Sequence, residues 1–149
     1  MKIIILFLLL ICLFVWSTII EPNILTVKHI QIEDKQLKGL KIVFASDFHI
    51  KPYENYRLER IIRAINKQNA DIVVLGGDYV SGHKKGSSMT IDKIAKSFSS
   101  ITSKHGTFAV VGNHDGWQGK EEIVKELEKN KTSKYNSSGL ATALLKYKE

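Results

Sequence analysis

The chain has 149 residues, of which 44% are hydrophobic and 25% charged, and 22 basic against 15 acidic side chains give a formal net charge of +7. This composition excludes a disordered or fibrous protein and allows one ordinary domain. A single cysteine, Cys12, excludes an intramolecular disulfide and a thiolate-bound metal cluster. The positive charge suits an anionic partner, but nearly all the basic residues are lysines spread along the chain, whereas nucleic-acid readers cluster theirs. We therefore expect no dedicated nucleic-acid function.

An uncharged apolar run opens the chain at residues 3–20. As a helix it would reach about 27 Å, close to the ~30 Å hydrocarbon core of a bilayer. A cleaved signal peptide is the alternative, but its apolar region is normally about 7–15 residues long and ends at a small-residue cleavage site, which this run lacks. We expect an uncleaved single-pass anchor over residues 1–21, with Lys2 in the cytoplasm and the following domain on the extracytoplasmic side.

Beyond the anchor, hydrophobic periodicity predicts alternating strands and helices. Residues 24–32 alternate apolar and polar side chains, which is typical of a half-exposed strand. Short apolar runs predict buried strands over 40–45, 71–75 and 107–111, and amphipathic periodicity predicts helices over 55–69, 90–101 and 119–129. This order predicts an α/β domain over residues 22–130 with a mostly parallel sheet and right-handed crossovers.

Each predicted buried strand is followed directly by metal-binding residue types. Asp47 and His49 follow the first strand, Asp78 the second, and Asn113 and His114 the third. Because ligands bind outside the carboxyl ends of the strands in open parallel sheets, these side chains should meet at one rim.

The residue types at this rim suggest distinct roles. Two residues apart, Asp47 and His49 would face the same side of an extended chain and could bind one cation. Two glycines before Asp78 let the backbone turn sharply, so its carboxylate could bridge two cations. Asn113 offers an amide oxygen, and His114 beside it could act on a substrate.

Three further residues are expected to support the site. Gly77 and Gly112 allow tight turns directly before predicted ligands. Asp115 either accepts the second ring proton of His114 or caps the helix that follows.

Together these segments resemble the first three blocks of the calcineurin-like metallophosphoesterases, and the anchor makes the chain most similar to a bacterial membrane-associated branch of that family. The blocks are Asp47-Phe48-His49, Gly76-Gly77-Asp78-Tyr79-Val80 and Gly112-Asn113-His114-Asp115. The resemblance covers about residues 25–130. It implies the amino-terminal half of an αββα sandwich.

The resemblance also implies a two-metal hydrolase of phosphate esters or pyrophosphates. Asp47 and His49 would bind the first divalent ion, Asp78 would bridge both ions, and Asn113 would bind the second. His114 would contact the scissile phosphate and help protonate the leaving group. Nitrogen and oxygen ligands without thiolate suit Mn²⁺, Fe²⁺ or Zn²⁺. A membrane or envelope phosphate ester, such as a lipid-linked pyrophosphate, fits the anchor, and the oligomeric state is not readable.

The chain departs from the family pattern after His114, because no later histidine or Gly-His-x-His block follows. The second ion would have only Asp78 and Asn113 as ligands. The histidines at 29, 83 and 105 match no family block; His105 should lie at the opposite end of the sheet, and His83 could approach the site from its loop.

Residues 131–149 form an atypical tail without clear periodicity. A shifted reading of codons that can encode residues 131–135 gives a plausible strand start, so we expect a frameshift and a truncated enzyme. The alternatives are a non-catalytic truncated relic and a basic membrane-anchored binding module.

Overall fold

A computed structural model describes residues 2–35 and 37–130, so the predicted tail lies outside the described residues. The contacts within the chain divide it into two units, residues 1–30 and residues 31–149.

The first unit begins with helix α1 (Lys2–Val15), which continues as a π-helical turn (Trp16–Ile20) and a short 3-10 turn (Glu21–Asn23). The helical stretch Lys2–Ile20 is long and apolar enough to cross a membrane. A signal sequence would meet the same criteria of length and composition. The uncleaved anchor therefore stays a prediction.

The strand predicted over residues 24–32 is wrong. These residues have no regular secondary structure, and their side chains are exposed. A strand is stable only beside a hydrogen-bonded neighbour, and within residues 2–35 and 37–130 no strand pairs with this segment. The alternation of apolar and polar residues does not show whether a neighbouring strand is available for pairing.

The three predicted buried strands are present and form one sheet. They are β1 (Ile42–Ala45), β2 (Ile72–Leu75) and β3 (Thr107–Ala109), in the order β1-β2-β3. Both pairings are parallel, with Ile42 opposite Ile72 and Val73 opposite Thr107. The predicted parallel α/β architecture is confirmed.

Three helices cover one face of this sheet: α2 (Asn55–Lys67), α3 (Ile91–Phe98) and α4 (Asn113–Lys129). Right-handed crossovers that always step in the same direction place the connecting helices on the same side. The helices share one core with the strand residues of that face. The opposite face exposes Ile42, Phe44 and Val110.

Helix α4 begins six residues before the predicted start at residue 119. Its first residues, Asn113-His114-Asp115-Gly116, have low helix propensity and no apolar periodicity, so their pattern does not predict a helix. The Asp115 carboxylate accepts the Gly112 amide at 2.9 Å, which caps the first turn. Gly119, with φ of 121°, interrupts the helix where the prediction had placed its beginning.

Asp71 anchors the amino-terminal end of the sheet. Its carboxylate accepts the backbone amide of Lys41 at 2.7 Å and pairs with the Lys104 ammonium at 2.6 Å. The hydrogen bond from Lys104, aided by the one from Lys41, holds the pKa of this carboxyl below its usual range. The His105 amide donates to the Asp71 carbonyl, so His105 lies at this end, away from the rim, as predicted.

Candidate metal centre

The loops that leave β1 and β2 run side by side at the carboxyl edge of the sheet. The backbone amides of Asp47 and His49 donate to the carbonyls of Gly77 and Asp78, at 3.2 and 2.8 Å. Ile50 then makes an isolated parallel bridge to the second loop. Hydrogen bonds between backbone groups, which do not depend on the side chains, thus bring the motifs after β1 and β2 together.

Three predicted ligands have a left-handed backbone. Asp47, His49 and Asp78 have φ angles of 58°, 41° and 55°. Such residues cost of order 1–3 kcal/mol each, persist only where the surroundings fix them, and cluster at functional sites. The extended backbone expected for Asp47 and His49 is therefore wrong, yet their side chains still converge, with His49 Nε2 3.8 Å from Asp47 Oδ1.

A compact group of imidazole and carboxylate atoms results. His49 Nε2 is 3.8 Å from Asp78 Oδ2, and ligand atoms of His49, Asp78 and His114 all lie within 4.8 Å of one another. The Asp78 side chain is 12% exposed, whereas that of Asp47 is 72% exposed and lies at the open side. Nitrogen and oxygen donors at this spacing fit a divalent transition-metal ion.

The turn after β3 is hydrogen-bonded to Asp78. The backbone amide of His114 donates to Asp78 Oδ1 at 2.9 Å, while Oδ2 faces His49. Gly77 has φ of 91°, and a Cβ there would overlap the backbone nitrogen of Gly112. A Cβ on Gly112 would in turn overlap the Asp78 carboxylate. The two glycines allow a close approach that larger residues would prevent.

The Asp115 carboxylate links the loop after β2 to the turn after β3. Its residue is fully buried, and its carboxylate accepts backbone N–H bonds from Asp78 at 2.8 Å, Tyr79 at 2.9 Å, Val80 at 3.3 Å and Gly112 at 2.9 Å. Burial raises the pKa of this carboxyl, and the four backbone donors oppose that shift. Of the two roles expected for Asp115, capping the helix is the one observed.

The remaining predicted residues lie at the start of α4. Asn113 is its first residue and is exposed; among the described residues, no hydrogen bond ties its side chain to the cluster. The half-buried His114 ring meets the His49 ring edge-on, with centroids 4.5 Å apart. Its Nδ1 lies 3.2 Å from the carbonyl oxygen of Gly82.

A family model accounts for these motifs together: the model described as calcineurin-like phosphoesterase matches residues 40–145. The chain belongs to the calcineurin-like phosphoesterase family. Calcineurin-like phosphoesterases use divalent metals, and the match includes all three strand-end motifs. The resemblance of these motifs to that family is confirmed.

Several curated calcineurin-like relatives are similar to this chain. An uncharacterized metallophosphoesterase of Campylobacter jejuni is 33% identical over 111 residues, 72% of this chain and 28% of the relative. One from Aquifex aeolicus is 33% identical over 74% of this chain and 42% of the relative. The UDP-2,3-diacylglucosamine pyrophosphatase LpxG of Chlamydia muridarum is 31% identical over 68% of this chain and 31% of its own length. The chain thus spans less than half the length of each of these relatives. No solved structure matches it.

Two further ring side chains lie beside the site: His83, which the sequence allows to approach it, and Trp117, which the sequence does not predict there. The His83 ring lies 5.3 Å from that of His114 and 4.4 Å from that of Trp117, and Trp117 is 4.6 Å from His114. Trp117 lies three residues after His114, a spacing that puts both on one helix face, but the prediction began the helix after it. The approach of His83 depends on the path of its loop, which residue types alone do not fix.

Proposed function

We propose that this chain carries the first part of a metal-dependent hydrolase of phosphate esters or pyrophosphates that uses two divalent ions. The observation that carries this proposal is the convergence of His49, Asp78 and His114 within 4.8 Å at the carboxyl edge of a parallel sheet. Membership of the calcineurin-like phosphoesterase family supports the same chemistry.

In this proposal each rim residue has a defined role. Asp47 and His49 would hold the first ion, Asp78 would be a ligand of both ions, and Asn113 would contribute its amide oxygen to the second. Mn²⁺, Fe²⁺ and Zn²⁺ all suit this donor set. When bound, such ions polarise phosphoryl oxygens and lower the pKa of a bound water.

His114 is the catalytic residue in this scheme. Its half-buried ring lies against His49, and its backbone amide is tied to Asp78 Oδ1. The imidazole is therefore held next to the proposed metal ligands His49 and Asp78. There it would contact the phosphate and give a proton to the leaving oxygen.

The second ion has two protein ligands in this proposal, Asp78 and Asn113, whereas catalytic sites usually offer three. We propose that further ligands come from outside the described residues. This donor count also favours the competing possibility, a truncated, non-catalytic relic that binds one ion weakly.

The proposed substrate is a phosphate ester or pyrophosphate linked to a lipid. The apolar helix Lys2–Ile20 supports a single-pass membrane location. The extracytoplasmic side proposed for the domain rests on Lys2 and the positive-inside rule. A relative that is named a pyrophosphatase of a diacylated sugar nucleotide supports the same substrate class.

Hydrolysis of bis(p-nitrophenyl) phosphate by the full chain in detergent micelles tests the proposal. We expect Mn²⁺-dependent release of nitrophenol that a chelator abolishes and added Mn²⁺ restores. Asp78→Asn keeps an oxygen for the His114 amide but removes the charge that bridges the ions, so it should lose the activity. His29→Gln, at an exposed histidine that is not among the proposed ligands, should retain it. A folded wild-type chain without Mn²⁺-dependent hydrolysis would favour the non-catalytic relic.

A further inference from the structure

The carbonyl of Gly82 connects the helix that carries His114 to the loop after β2. Residues 81–88, the later part of the segment between β2 and α3, are called the β2–α3 loop. The side-chain amide of Gln118 donates to the carbonyl oxygens of Ser81, at 2.7 Å, and Gly82, at 3.0 Å. The same Gly82 oxygen lies 3.2 Å from Nδ1 of His114.

This contact restricts the protonation of the imidazole. A carbonyl oxygen only accepts hydrogen bonds, so Nδ1 of His114 must carry the proton that it shares with Gly82. In the neutral ring, Nε2 is then the nitrogen with the free lone pair, and in the charged ring Nε2 carries the second proton. Nε2 is therefore the atom that can take up a proton and give it to the leaving oxygen. A fixed tautomer of this kind is how an outer partner orients a histidine for its task.

The β2–α3 loop is itself held in one conformation. Gly82 has φ of 78°, and a Cβ there would overlap the Ser87 hydroxyl. That hydroxyl lies 2.7 Å from the carbonyl oxygen of Ser81 and 2.6 Å from that of Lys84, and its single proton serves one of them at a time. Gln118 lies four residues after His114, so it faces the same side of α4. Its two amide protons bind two successive carbonyls and fix the direction of the second.

We propose that Gln118 is a positioning residue for His114 and acts through the carbonyl of Gly82. By holding that carbonyl in place, Gln118 selects the tautomer with the proton on Nδ1 and fixes the ring plane. This proposal rests on the proposed function only in taking His114 as the catalytic group.

The tautomer of His114 in the metal-free full chain tests this directly. ¹⁵N-histidine NMR at fixed pH distinguishes a proton on Nδ1 from one on Nε2, and His114→Ala assigns the signal. Gln118→Met keeps the length of the side chain and its neutral charge but removes both donors. Lys120→Met, an exposed residue of the same helix, is the matched control, and circular dichroism checks that each variant folds.

The wild type and Lys120→Met should have the Nδ1–H tautomer, and Gln118→Met should give a mixture of tautomers. In the hydrolysis assay, Gln118→Met should lower kcat about tenfold with little change in KM. An unchanged single tautomer in folded Gln118→Met would overturn the proposal whatever the activity. Absence of hydrolysis by the wild type would count against the proposed function instead, and the tautomer comparison would still decide the role of Gln118.

Discussion

Replacing Asp115 by alanine is expected to lower the free energy of unfolding by about 4 kcal/mol, because buried donors that lose their acceptor cost about 1–3 kcal/mol each and not additively. Four backbone amides on two loops converge on this one buried carboxylate. Alanine cannot replace the acceptor, and the site is too buried for water to do so freely. Urea unfolding of the full chain, followed by circular dichroism, measures the effect.

Glu121→Ala is the matched control for this substitution. Glu121 lies on the same helix but is exposed, and surface changes of this kind usually stay within about 0.5 kcal/mol. The Asp115 variant should also bind Mn²⁺ less tightly, because its carboxylate holds the Asp78 loop to the Gly112 turn. If Asp115→Ala unfolds at the same urea concentration as Glu121→Ala, the carboxylate does not join the loops as described.

Replacing His114 by glutamine is expected to lower kcat about 10²- to 10⁴-fold, the usual contribution of a positioned proton donor, while the affinity for Mn²⁺ stays unchanged. His49→Gln, in contrast, should lower both kcat and Mn²⁺ affinity, because His49 is a ligand in this account. The two histidines have rings in contact, so each serves as the control for the other. Steady-state hydrolysis and isothermal titration with Mn²⁺ separate the two effects.

This pair of variants discriminates between two roles that the geometry of the cluster allows. One ligand atom of His114 lies within 4.8 Å of His49 and Asp78, a spacing compatible with metal binding as well as with proton transfer. A loss of Mn²⁺ affinity in His114→Gln as large as that in His49→Gln would make His114 a ligand and contradict its assignment as the catalytic residue.

The sequence predicted the sheet and the meeting of the motifs because both follow from local patterns. Apolar runs rich in β-branched residues, spaced as in βαβ units, predict β1, β2 and β3. The carboxyl ends of parallel strands then lie at one edge of the sheet. The sequence alone therefore predicts that Asp78 and His49 lie close together. The strand over residues 24–32 failed because pairing depends on a neighbour that its own residues do not specify.

The finer structure of the site depends on contacts between distant segments. Asp47 and His49 have a left-handed backbone where their amides donate to the carbonyls of Gly77 and Asp78. The extended backbone predicted for them is wrong, although their side chains converge as expected. The early start of α4 requires the Asp115 cap, which also binds the loop after β2. The positions of His83 and Trp117 follow from that start and from the path of the β2–α3 loop.

Titration of Mn²⁺ into the metal-free full chain is the most direct test of the central claim, a metal centre built around Asp78. The wild type and His29→Gln should bind Mn²⁺ saturably, and Asp78→Asn should lose that binding while unfolding at a similar urea concentration. A folded wild-type chain without saturable binding, or an Asp78→Asn variant that binds Mn²⁺ as the wild type does, would contradict the account.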